Sequence, residues 1–372
     1  MSRPVPVGII QQYDAFWNAK NQDALLYMGY DTADVKVSAQ AKGLFKPWMD
    51  TSLHWGFAAA VNLAYKTGDS TYVSDILELH VERLSLTRYA GAGFPTFTAN
   101  LGAGSLAAML TGYAHLYQDT VWFELDEPWP YERILALNDF HPYADTVMAA
   151  MKMTAERLGG LAVLSVNDLG GLADVLSSLR RCDGILYDLH DCPDDVAKAL
   201  GHILKFWLRA HKETQAILEP VNGGLYTHWM QLLAPHPYYP HQCDACALIG
   251  PQHFRELILP SLAAEMAHFP ATVYHLDGSH CIVHLDALCE SPTLKAIQWV
   301  PEPGVTYHDE QYHPLYARIL ELGRKIVFTG WRGDADDMRR FFKRFPREAF
   351  FISTGVKDAA EAAEYLRVAE GR

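Results

Sequence analysis

No apolar run in the 372-residue chain approaches the roughly 20 residues that a membrane-spanning helix needs. It does not open on a basic segment followed by an apolar one, so no secretory signal is expected. Cysteine is sparse, six residues scattered along the whole length. That spacing makes no disulfide framework, and reduced thiols in a cytoplasmic protein are the expectation. Positive charge is in deficit: 31 Lys and Arg stand against 44 Asp and Glu, a formal charge of −13. Nucleic acids and anionic membranes both want a basic patch, so neither is expected as a main partner. No Gly-x-Gly-x-x-Gly of the right context follows the first predicted strand, which argues against a dinucleotide-binding fold.

What is present is material for a large core. Hydrophobic residues make up 49% and charged residues 20% of the chain, the proportions of a soluble globular protein. Trp, Tyr and His are abundant, which fits either an aromatic core or a deep pocket for a flat or polar organic ligand. The first 90 residues look helical. A Pro-started turn at Lys46-Pro47 leads into a helical pattern with a cap at Thr51 or Ser52. It passes His54, read as a packing or surface residue, and runs to about Leu86 with a break at Gly68-Asp69-Ser70.

From Phe94 onward strand–turn–helix units repeat. Strand candidates are 94–100, 120–124, 161–166, 184–189, 214–219, 271–274, 296–300, 325–330 and 349–355, with helices over 147–158, 194–211 and 251–266. None reads as a hairpin. The pattern is that of a parallel sheet with helices outside it. A closed (β/α)8 TIM barrel over 91–372, with residues 1–90 as an N-terminal helical extension packed on it, is the expected fold. A doubly wound open sheet is the alternative.

In such a barrel the strand C-termini converge on one mouth, and each contributes one or two polar groups. Those groups are Asn100, Asp168, Asn222, Tyr226, Asp244, His275, Asp277 and Glu302, with Trp331 beside them. The sharpest item is His275-x-Asp277, since residues i and i+2 of a strand share a face. An imidazole and a carboxylate so placed suit a shared metal ion, or a base and its orienting partner. His280 and Cys281 follow in the loop and would complete a nitrogen–sulfur site for Zn²⁺. Cys243, in Cys243-x-x-Cys246, is a further ligand candidate. Glu302, held between Pro301 and Pro303, suits a placed acid or base. Trp122, Tyr226, Trp229, Tyr274 and Trp299 are candidate pocket walls.

Tyr274-His275-Leu276-Asp277-Gly278, His284-Leu285-Asp286 and Ile297-Gln298-Trp299-Val300-Pro301 resemble motifs of the uroporphyrinogen decarboxylase superfamily. Asn100-Leu101-Gly102, Thr120-Val121-Trp122-Phe123 and Asp244-Ala245-Cys246-Ala247-Leu248-Ile249-Gly250-Pro251 extend the resemblance over about residues 90–360. It is nearest to the branch related to corrinoid-dependent methyltransferases. The resemblance implies a (β/α)8 barrel. It also implies zinc held by His-x-Cys on this strand and by a distant Cys, activating a thiol for attack on a methyl group. Here the pair is His275-x-Asp277, and no Cys stands near Ser353-Thr354-Gly355. Cys243, His280 or Cys281 is then the local substitute, and the choice stays open. The Arg-rich loop of the decarboxylases has no counterpart.

The function implied is a metal-dependent methyltransferase. It would move a methyl group between a corrinoid or small methyl donor and a thiol or related acceptor. His275 and Asp277 would hold Zn²⁺, and Glu302 or Asp168 would manage protons. Asn100, Asn222 and the aromatic walls would bind substrate. The chain has no cobalamin-binding motif, so a corrinoid would arrive on a partner protein. Two alternatives are a metal-independent decarboxylase or lyase that relies on Asp277, and a non-catalytic binding protein for a small molecule or corrinoid. A homodimer is left open.

Overall fold

The computed structural model describes residues 5–33, 55–117 and 120–372. The expected helix start at Lys46-Pro47, its cap at Thr51 or Ser52, and His54 lie outside the described residues. The expected break is present: helices span Gly56–Thr67 and Thr71–Leu86, and Gly68 between them adopts φ 74°.

Eleven strands occur among the described residues. They are β1 (Leu25–Asp31), β2 (Thr87–Gly91), β3 (Thr96–Thr98), β4 (His115–Leu116), β5 (Val121–Trp122) and β6 (Val163–Ser165). Then come β7 (Tyr238–Gln242), β8 (Ala271–Asp277), β9 (Leu294–Val300), β10 (Lys325–Thr329) and β11 (Phe350–Gly355). A seven-stranded sheet runs β2-β1-β11-β10-β9-β8-β7, parallel throughout except for β2, which pairs antiparallel to β1. β3 and β6 pair parallel in a second sheet, and β4 and β5 form a small antiparallel pair.

The two parallel sheets enclose one interior. Leu25 and Tyr27 of β1, Val163 of β6, Tyr238 of β7, Val273 of β8, Val327 of β10 and Phe351 of β11 are buried in a single apolar cluster. The alternate residues, such as Leu26, Leu164, Tyr274, Ile297 and Phe328, pack outward with helix residues in a second cluster. Period-2 alternation between two buried faces is what parallel strands sheathed by helices require. The architecture is therefore α/β with a mainly parallel central sheet, consistent with a barrel-like arrangement.

The expected closed hydrogen-bonded ring is corrected at two seams. Between β1 and β3, the edge of β1 is already taken by β2. The junction is bridged instead by the Tyr27 hydroxyl, which donates to the Phe94 carbonyl at 3.0 Å. Between β6 and β7, the Leu169 N–H donates to the Tyr239 hydroxyl at 2.9 Å. Gly171 passes so close to β7 that a Cβ there would lie 2.0 Å from the Gln242 carbonyl oxygen.

Other element expectations are corrected as well. Residues 1–90 are not purely helical, because β1 and β2 belong to the main sheet, beside the C-terminal strand β11. Residues 184–189 lie within the helix Cys182–Asp191, which buries Ile185, Asp188 and Leu189 at i, i+3 and i+4. Residues 214–219 continue the 30-residue helix Pro193–Asn222, with Ala210, Thr214, Leu218 and Asn222 buried at four-residue steps. In both places apolar or β-branched residues in a short window mimicked a strand, and helical burial decided otherwise. Residues 120–124 contribute only the two-residue β5, outside the parallel sheets. The helix predicted over 251–266 widens to a π-helical turn at Phe254–Ile258. Pro260 follows two residues later and has no N–H to give. Among the described residues, no helix is long and apolar enough to cross a membrane.

Candidate functional site

The interior changes character along the strands. The four neighbouring strands β8 to β11 each present an apolar residue inward and, two positions on, a polar one. Val273 is followed by His275 and Asp277, Ala296 by Gln298, Val327 by Thr329, and Phe351 by Ser353. Pairing aligns these residues into a tier: Gln242 sits beside His275, His275 beside Gln298, and Thr329 beside Ser353. A cavity of about 920 Å³ opens over this tier at the strand C-termini. Gln242, His275, Thr329 and Ser353 form part of its floor, with Asp168 and Asp244 on its wall.

His275 is the centre of the polar tier. Its Nδ1 is hydrogen-bonded to Gln298 Oε1, and its Nε2 lies 3.7 Å from Asp244 Oδ1. Trp229 packs edge-on against the ring, with centroids 5.2 Å apart. One ligand atom each from Asp244, His275 and Asp277 lies within 4.8 Å of the others. His275 and Asp277 stand two residues apart on β8, so they project to the same side. Asp244 opens the short 3-10 turn Asp244–Leu248 just after β7. Asp174 holds that turn in place by accepting the Ala245 N–H at 2.8 Å. Burial, reinforced by the Asp244 charge, raises the Asp174 carboxyl well above the usual carboxylate range.

The electrostatics describe carboxylates gathered around one imidazole. Burial pushes Asp168 up to about 6, against the Gly170 N–H and the nearby His275, which favour its ionised form. Enclosure also raises Asp277, and the Asp244 and Glu302 charges add to the rise while His275 opposes it. Carboxylates that crowd one imidazole repel each other, and a cation between them relieves the repulsion. Asp244, His275 and Asp277 are the residues here that could hold a cation. In a tetrahedral zinc site with bonds of about 2.0–2.1 Å, ligand atoms stand roughly 3.3 Å apart. The 3.7 Å between His275 Nε2 and Asp244 Oδ1 is close to that edge.

No protein-family model matches the chain, and no curated protein matches it. Among solved structures the fold is similar to that of a methyltransferase from Methanosarcina mazei. The two are 11% identical in sequence, with a TM-score of 0.55 over 98% of each chain. At this identity the likeness is one of fold.

Of the other predicted site residues, Asp168, Asn100 and Trp229 line the same cavity. Asn100 Oδ1 accepts the Gly102 N–H at 3.1 Å. Glu302 sits beyond it and acts as a clamp: it accepts the Ser279 N–H at 2.8 Å and the Tyr312 hydroxyl. Partial enclosure would raise its carboxyl, but these hydrogen bonds outweigh that and hold it at about 2. Glu302 thereby joins the loop after β8 to the end of β9.

Several expected positions fall elsewhere. Tyr274 and Trp299 are fully buried in the outward cluster, because they alternate with the inward residues His275 and Gln298. Trp122 is 58% exposed on β5. The Asn222 side chain ends a helix and bonds both the Leu164 N–H, at 2.9 Å, and the Leu164 carbonyl, at 2.8 Å. Tyr226 donates to Glu219 at 3.2 Å, away from the cavity. Cys243 and Cys281 are buried in the outward cluster, and the Cys281 sulfur lies 3.5 Å from that of Cys246. That contact and burial raise the Cys281 thiol, so it stays protonated. His280 is exposed in the loop and lies outside the cluster of ligand atoms. The residue that joins His275 and Asp277 is Asp244, which sequence reasoning had at the mouth but not as a ligand. Gln242, Gln298, Thr329 and Ser353 were missed. Their signal is a polar residue two places after an apolar one at the end of each strand.

Proposed function

We propose that the protein is a metal-dependent methyltransferase-like enzyme. His275, Asp277 and Asp244 hold a Zn²⁺ ion, and the cavity above them takes a small-molecule acceptor. The observation that carries this reading is the convergence of one imidazole nitrogen and two carboxylates at the strand ends, beside a cavity of about 920 Å³. The resemblance of the β8 and β9 motifs to corrinoid-dependent methyltransferases supports it, as does the fold likeness to a methyltransferase.

Zinc, when bound there, lowers the pKa of a thiol so that it is present as the nucleophilic thiolate. The chain's own residues do the rest. His275, Asp277 and Asp244 supply three ligands and leave room for the acceptor, as catalytic sites do. Asp168, with its raised pKa, takes the thiol proton near neutral pH. Trp229 packs the imidazole into one orientation. In the transfer the acceptor's sulfur forms a bond to the methyl carbon. The bond from that carbon to its donor breaks, and the donor leaves with the electron pair. The donor is a small methylated compound or a corrinoid carried by a partner protein.

The test is elemental analysis of protein purified without added metal, then after incubation with zinc and desalting. About one zinc per chain, lost in His275→Ala and in Asp244→Ala, is the expected result. A wild-type protein that takes up no zinc when it is offered refutes the reading.

A further inference from the structure

We propose that Gln298 is a positioning residue that fixes His275 in the tautomer with its Nε2 lone pair facing Asp244 and Asp277. The inference rests on the metal reading for its purpose, but its geometry stands apart from it. Gln298 is fully buried on β9, directly beside His275 in the strand register. Its amide nitrogen lies 3.2 Å from the Trp299 carbonyl and 3.2 Å from the Thr329 hydroxyl, and its oxygen meets His275 Nδ1.

Only one orientation of this amide satisfies every partner. A backbone carbonyl only accepts hydrogen bonds, so the Trp299 oxygen must face the NH₂ of Gln298. Reversing the amide would set two oxygens against each other in a buried place, where an unmet acceptor is costly. The Gln298 oxygen is thereby directed at Nδ1, and an oxygen acceptor requires Nδ1 to carry the hydrogen. The neutral ring then has its lone pair on Nε2, the nitrogen 3.7 Å from Asp244. Free imidazole side chains in water favour the opposite tautomer, so the selection comes from the protein. The chain of orientation runs from the β9 backbone and Thr329, through Gln298, to the ligand nitrogen. Partners of this kind hold a metal-bound imidazole in one tautomer and one plane, and their loss costs roughly 10–100-fold in metal affinity.

Two readouts test this, nitrogen NMR of ¹⁵N-histidine-labelled, metal-free protein at mildly alkaline pH, and zinc affinity by chelator competition. The His275 signals are identified by their absence in His275→Ala. Wild type is expected to show a protonated Nδ1 and an unprotonated Nε2. Gln298→Leu is expected to move the population towards protonated Nε2 and to weaken zinc binding about 10–100-fold. Should Gln298→Leu fail to fold, Gln298→Met, which keeps the length of the side chain without an amide, is expected to shift the tautomer the same way. An unchanged tautomer in the folded Gln298→Leu protein, or in Gln298→Met where the leucine variant does not fold, overturns the proposal. If wild type takes up no zinc, the metal reading falls alone, because the tautomer signals still decide the role of Gln298.

Discussion

Replacing Asp168 with Asn tests the electrostatic account of the site directly. In the folded protein burial holds the Asp168 carboxyl at about 6, whereas an unfolded chain has it at about 3.9. The folded state therefore keeps a proton that the unfolded state has lost. Stability falls as pH rises from about 4 to about 6 and stays at the lower level above that. About two pKa units, at about 1.4 kcal/mol each, set a ceiling of about 3 kcal/mol on the cost of the ionised group. Asn cannot ionise, and its amide oxygen still accepts the Gly170 N–H that Asp168 accepts at 2.9 Å. Partial exposure to the cavity reduces the gain to about 1–2 kcal/mol at pH 8, with none at pH 4. For a protein of this size that is a rise in Tm of roughly 1–3 °C. Chelator-treated wild type and Asp168→Asn should be compared by urea and thermal denaturation across pH 4–8. Chelation matters because a bound cation would itself stabilise the ionised carboxylate. A variant that is destabilised at pH 8, or whose difference from wild type is independent of pH, refutes the assignment.

Glu302→Gln should cost about 1–2 kcal/mol at neutral pH, since charged hydrogen bonds from Ser279 and Tyr312 are lost. Its carboxyl is held at about 2, below the unfolded value of about 4.3. The contribution is thus complete above pH 4.3 and disappears as pH falls towards 2, and a pH series of urea melts should show this limb in wild type alone. Asn222→Ala removes two buried bonds to Leu164 and is expected to lower stability by about 2–3 kcal/mol while leaving zinc content unchanged. Combined Cys243→Ala and Cys281→Ala should keep zinc at the wild-type level, and its loss would return the thiols to the ligand set.

The parts of the molecule that were legible in the sequence are those written in local patterns. Lys325–Thr329 and Phe350–Gly355 are apolar runs ending at glycine-bearing turns, and both are strands. His275-x-Asp277 could be placed on one face because strand alternation is a local rule. The same rule, pushed further, would have turned Tyr274 and Trp299 away from the cavity, since each neighbours a residue that faces it. What local pattern could not separate was a short helical segment from a strand. Gly184–Leu189 and Thr214–Glu219 carry enough apolar and β-branched residues for either, and only burial at i, i+3 and i+4 distinguishes them. Leu25–Asp31 was missed because its pairing partner lies more than 300 residues away in β11.

The sequence by itself determined a large α/β protein with charge unsuited to nucleic acid, and it placed an imidazole and a carboxylate together at one strand end. Those properties follow from composition and from a repeat of two residues, which need no knowledge of distant contacts. Only the tertiary structure decided the third member of the cluster. Asp244 lies 31 residues before His275 and only one position nearer than Cys243, which turns the other way. Its place is set by the pairing of β7 with β8 and by the Asp174 bond that holds its turn. The structure likewise decided that Gln298 lies against Nδ1, because strand register, a non-local property, fixes which side chains meet.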